Sequence, residues 1–145
     1  VREVQGLARA IRGHPTITSF DGSDRFPYES MDSLYSALAT LPALESIMLS
    51  SPPEDESTLA NPESLTELLR VPSLRSVHFG DFFFTSALCQ AAAKALTEDT
   101  AITNLVFWGC SFPAGECAAL MANGLGRNTS VISLTVASKV GGAIF

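Results

Sequence analysis

The chain has 145 residues, is 46% hydrophobic and 17% charged, and carries a formal net charge of −6, which fits one folded domain and excludes a disordered tract. Nine Lys and Arg against fifteen Asp and Glu, scattered from Arg2 to Lys139 without a stripe, argue against binding to nucleic acid or to an anionic membrane. Three cysteines, Cys89, Cys110 and Cys117, make no disulfide framework, and no apolar run nears the roughly 20 residues that cross a bilayer.

The first segment carries Leu7 and Ile11 at helical spacing and passes through His14-Pro15 to a short apolar stretch, Ile17 to Phe20. Leu34 and Leu38 repeat the spacing, Pro42 follows, and a strand pattern runs from Leu44 to Leu49. The acidic loop Pro52-Pro53-Glu54-Asp55-Glu56 reads as solvated. Asn61-Pro62-Glu63 reads as a helix start, with Asn61 as N-cap and Pro62 at the first helical position. Leu65, Leu69, Pro72 and the strand pattern Leu74 to Phe79 complete that unit. Thr85 or Ser86 then caps a fourth helix bearing Ala92, Ala95 and Leu96, before the strand pattern Ile102 to Phe107. Leu120, Gly124 and Leu125 mark a fifth helix, and Val131 to Val136 a fifth strand.

The five strand starts, at positions 17, 44, 74, 102 and 131, are separated by 27, 30, 28 and 29 residues. Pro15, Pro42 and Pro72 each lie two residues before a start, where proline ends a helix and imposes extended backbone. Thr100 and Thr129 hold that place in the last two units. A helix–strand unit of this length cannot bury both apolar faces alone, so neighbours must share a core.

A unit of 27 to 30 residues carrying L-x-x-L-x-L resembles the leucine-rich-repeat family, in its ribonuclease-inhibitor-like subclass. The fourth unit carries the resemblance best, with Ile102, Leu105, Phe107, Cys110, Phe112, Gly115, Leu120 and Leu125 on the family's positions. Its Asn-or-Cys position is met only by Cys110, and the equivalents are Arg25, Pro52, Phe82 and Lys139. Those four turns are therefore expected to be looser. The resemblance implies an α/β solenoid of about five repeats, with parallel strands on a concave face and helices on a convex one. The whole of residues 1–145 reads as a single such domain. No polar capping unit is read around Val1 or in Gly141 to Phe145, which implies a segment of a longer array or self-association through uncapped ends.

On this geometry, residues between the apolar anchors form outward columns. One column is Ser19, Ser46, Ser76, Asn104 and Ser133, small spacers or ligands. A second is Asp21, Met48, His78, Val106 and Thr135. A third is Ser23, Ser50, Gly80, Trp108 and Ala137, and a fourth Thr18, Glu45, Arg75, Thr103 and Ile132. Glu45, Met48, Arg75, His78 and Trp108 are the candidate partner-binding residues, because interface energy concentrates in aromatic and arginine anchors. His78 with Asp81 nearby suggests acid–base chemistry, but no nucleophile has a place beside them. Two rings of Phe82-Phe83-Phe84 are expected in the core, Cys110 is expected to be structural, and Asn128-Thr129-Ser130 forms a sequon of little weight. No metal or cofactor motif is present in the sequence. The reading is a cytoplasmic protein-interaction module and not an enzyme. The alternative is the regulatory segment of a larger protein, of GTPase-activating or ligand-sensing type.

Overall fold

The computed structural model describes residues 2–22, 28–50, 63–82, 84–98, 100–110 and 115–137. Five helices alternate with five strands: α1 (Arg2–Ile11), β1 (Ser19–Gly22), α2 (Tyr28–Leu38), β2 (Ser46–Leu49), α3 (Glu63–Leu69), β3 (Ser76–Gly80), α4 (Ser86–Thr97), β4 (Asn104–Trp108), α5 (Gly115–Arg127) and β5 (Ser133–Ala137). The strands form one parallel sheet in sequence order. Helices pack on sequential neighbours, as do strands. Asn61-Pro62, the acidic loop, Ser23, Arg25, Pro52, Lys139, Phe83, Phe112, Val1 and the segment 141–145 lie outside the described residues.

Each strand begins two residues later than its apolar pattern suggests. The reason is visible at the turns. Leu44 and Leu74 spend their N–H groups on Leu41 and Val71 carbonyls, so the ladder starts only at Ser46 and Ser76. Leu44, Leu74 and Ile102 are nonetheless fully buried anchors just ahead of their strands.

One hydrogen-bond device recurs at every junction. The Thr18 carbonyl accepts from Glu45 N at 2.7 Å and Ser46 N at 3.1 Å; the Glu45 carbonyl accepts from Arg75 N at 2.8 Å and Ser76 N at 3.0 Å. The Arg75 carbonyl accepts from Thr103 N and Asn104 N, and the Thr103 carbonyl from Ile132 N and Ser133 N. These bonds lock the register that aligns the four columns. Side chains reinforce it: Ser73 Oγ donates to the Leu44 carbonyl at 2.6 Å, and Ser130 Oγ to the Ile102 carbonyl at 2.7 Å.

The core lies on one face of the sheet, where Ile47, Leu49, Val77, Phe79, Leu105 and Phe107 meet Leu34, Leu38, Leu65, Leu69, Leu88, Leu96 and Met121 of the helices. Thr85 caps α4 by accepting from Leu88 N at 3.2 Å. Phe82 and Phe84 are buried against Phe79, with ring centroids at 5.0 and 5.1 Å, and Phe79 stacks on Phe107 at 5.4 Å. Phe82, at one of the turns expected to be looser, is 1% exposed and packs into the core.

Two expectations are corrected. Leu7 and Leu120 are exposed, and α5 turns Met121 and Gly124 inward instead of Leu120. In β5 the anchors Leu134 and Val136 are 48% and 37% exposed. Asn128, formally a glycosylation acceptor, is employed internally. Its Nδ2 donates to the Leu96 carbonyl at 2.9 Å, and its Oδ1 accepts from Ser130 N and Val131 N, so its amide joins two successive turns.

Candidate functional site

The sheet face away from the helices carries the first two columns, half-buried or exposed along every strand. Ser19, Ser46, Ser76, Asn104 and Ser133 stand in register, as do Asp21, Met48, His78, Val106 and Thr135. Between them lies a shallow cavity of about 320 Å³, lined by the β1–β4 members of both columns. Its polar side is a row of hydroxyls and one amide, within which Asn104 Nδ2 donates to Ser76 Oγ at 3.3 Å. Its other side passes from the Asp21 carboxylate through Met48 and His78 to the apolar Val106.

Met48 and His78 are the two candidates that this cavity brings together. Both lean over Gly80, where an added Cβ would lie 3.4 Å from Met48 Cε and 3.7 Å from His78 Nε2. The absent side chain at 80 leaves room for both tips. His78 Nε2 is buried and makes no hydrogen bond. An imidazole nitrogen hidden without a partner costs on the order of 1–3 kcal/mol. It is not joined to Asp81 through that nitrogen, and the acid–base pairing has no geometric support there.

Glu45, Arg75 and Trp108 do not line the cavity. Glu45 and Arg75 are exposed just before β2 and β3. Arg75 Nη1 folds back to the Pro72 carbonyl at 2.7 Å and the Leu74 carbonyl at 3.4 Å, so the guanidinium braces its own turn. Trp108, 43% exposed, closes β4 at the opposite end of the strands. From the Arg75 row to the Trp108 row is five strand residues, about 16 Å at about 3.3 Å each. The five candidates thus form a band across the sheet with the cavity in the middle.

The third column divides. Ser50 and Gly80 are buried, not outward, and Ser50 Oγ donates to the Gly22 carbonyl at 2.7 Å. Past the strand ends the backbone turns left-handed at Asp81 (φ 50°) and Gly109 (φ 65°), and both N–H groups donate to the next unit, at Trp108 O and Ala137 O. These turns hold the Trp108 end of the band in place. Ser19, Asp21, Ser46, Ser76, Asn104 and Val106 were legible in sequence only as column members; the cavity they share needs the register to appear.

Cys110 lies just beyond that turn, buried, with its Sγ donating to the Phe79 carbonyl at 3.2 Å. Burial pushes the thiol up to about 11, against backbone hydrogen bonds from Phe82 and Trp108, and the Asp81 carboxylate adds to the rise. It is a structural thiol with little thiolate character at neutral pH. Cys89 is buried on α4. Among the described residues no cluster of three or more His, Cys, Asp or Glu could hold a metal, and no helix is long and apolar enough to cross a membrane. No family model matches the chain, and no curated protein matches it.

Proposed function

We propose that the chain folds as a leucine-rich-repeat solenoid of the ribonuclease-inhibitor-like type, and that its open, concave sheet face docks a protein partner. The observation that carries this reading is the band itself. In-register columns leave a cavity across four strands, lined by Met48 and His78 and flanked by an exposed tryptophan. A surface of fixed columns suits recognition of another folded surface, since its side chains are positioned by ladder bonds before the partner arrives. Asp21 and Glu45 at the β1–β2 side favour a partner presenting basic side chains there, and Val106 and Trp108 favour apolar ones at the other end. The reading needs no cofactor, assigns no catalytic residue, and fits a cytoplasmic setting in which Cys110 stays reduced.

The test begins with capture of a partner on the intact protein, followed by titration of variants. Trp108→Ala and His78→Ala are each expected to weaken binding by more than about 1 kcal/mol with the fold intact. Arg75→Ala has a smaller effect, because its guanidinium is held by the Pro72 carbonyl. Lys94→Ala on α4 has almost none. Loss of binding in the α4 variant with full binding in the Trp108 and His78 variants would overturn the assignment of the face.

A further inference from the structure

Met48 and His78 stand side by side on β2 and β3, in register and on the open face. Their tips share the space above Gly80, where an added Cβ would lie 3.4 Å from Met48 Cε and 3.7 Å from His78 Nε2. His78 Nε2 is shielded from solvent and has no hydrogen-bond partner. Met48 is half-buried and lines the open cavity. A thioether sulfur is only a weak acceptor, so in its present chemical form this neighbour leaves the imidazole nitrogen unsatisfied.

That form can change. A peroxide transfers one oxygen atom to the thioether: the sulfur lone pair forms the new sulfur–oxygen bond as the oxygen–oxygen bond breaks. The sulfur is oxidised to the sulfoxide, and hydrogen peroxide is reduced to water. The sulfoxide oxygen is a strong acceptor, and the flexible methionine side chain can turn it toward the ring. With the proton on Nε2, the imidazole donates to it. Susceptibility to oxidation follows exposure. Met121 on α5 is 0% exposed, whereas Met48 is reached through the cavity.

We propose that Met48 is a reversible oxidation site and that His78 holds its sulfoxide by donating from Nε2. Oxidation turns the centre of the second column from an apolar group into a polar one. The cavity then has a polar wall from Asp21 through Met48 to His78, and apolar lining from that column remains only at Val106. A sulfoxide reductase returns the face to its first state. The site exists whether or not the face docks a protein; docking decides only what the change controls.

Treatment of the intact chain with dilute hydrogen peroxide tests this, read by peptide mass spectrometry and by NMR of the histidine ring nitrogens. Met48 is expected to gain one oxygen roughly tenfold or more faster than Met121, which reacts only as the fold opens. The His78 ring signals should shift as Nε2–H gains an acceptor, while those of the exposed His14 stay in place. Methionine sulfoxide reductase should restore both the mass and the original signals. Met48→Leu, which nearly keeps the volume and carries no sulfur, should hold the His78 signals still under peroxide. Oxidation of Met48 no faster than that of Met121 overturns the proposal. So do His78 signals that stay unmoved when Met48 is oxidised, or that move equally in Met48→Leu. None of these readouts involves a partner, so failure here and failure of the docking face are separate results.

Discussion

Strands β4 and β5 carry the same apolar pattern and meet opposite fates. Leu105 and Phe107 are buried completely, while their register partners Leu134 and Val136 remain open to solvent. The difference does not lie in the strands. Around β4, the Phe79, Phe82 and Phe84 rings and the helices α4 and α5 close over the anchors; beyond β5 no further helix stands among the described residues. Where sequential helix–strand pairs share one sheet, burial belongs to the pair of neighbours and not to the single strand. The stability of a position therefore depends on which strand of the sheet it stands on.

The comparison makes its largest demand on paired truncations. Leu105→Ala is expected to lower unfolding free energy by about 2–5 kcal/mol, the range for emptying a packed leucine site. Leu134→Ala, in the same register, should cost roughly 1 kcal/mol or less, because only partial burial is lost. Urea titration of both variants checks this, and equal losses would erase the distinction between the two strands.

Alkali sharpens the same contrast, because Cys110 lies inside the β4 block. Its folded pKa of about 11 stands above the ordinary thiol value of 9.0. The buried thiol therefore stabilises the fold fully below pH 9, and the benefit is lost as pH rises from about 9 to about 11. There the unfolded chain releases its proton first. The loss attributable to this group is on the order of 2–3 kcal/mol. Cys110→Ala should remove that part of the pH dependence when stability is measured at pH 8 and pH 11. At neutral pH, a thiol reagent should label Cys110 no faster than the chain opens.

The smallest effects come from two glycines of α5 that face different surroundings. A Cβ at Gly124 would lie 3.0 Å from the Ala93 carbonyl oxygen and 3.3 Å from Ala93 Cα, both backbone of α4. Gly124→Ala should thus cost about 1–2 kcal/mol despite a better helix propensity. Gly126 has nothing within 4 Å of the same atom. Gly126→Ala should stabilise by about 0.5–1 kcal/mol. Thermal melts of the two variants should therefore move in opposite directions.

Whereas the parallel order and the columns were implied by the leucine-rich-repeat resemblance, the alternation of helix and strand and the apolar anchors were legible in the sequence because a period of about 28 residues repeats element type and spacing. Leu44, Leu74, Ile102 and Leu105 could be named as anchors on that ground alone. Pattern could not say which anchors are covered, since Leu134 looks like Leu105 until the neighbours are counted. Nor could it show that Arg75 turns back on Pro72, that Ser50 is spent on the Gly22 carbonyl, or that Asn128 bridges two turns. These are side-chain choices among local acceptors, and one residue's identity does not decide them. The room over Gly80 for Met48 and His78 is likewise a relation between two strands.

Everything assigned to the open face depends on the register, and backbone amide exchange measures it most directly. At a concentration where the chain is monomeric, the amides of Ser76 and Asn104, bonded to the Glu45 and Arg75 carbonyls, should exchange only through large-scale opening. The Ser19 amide, on the outer edge, should exchange orders of magnitude faster. Exchange at Ser76 and Asn104 as fast as at Ser19 would mean that the junctions are not formed as described, and the columns, the cavity and the proposed docking face would fall with them.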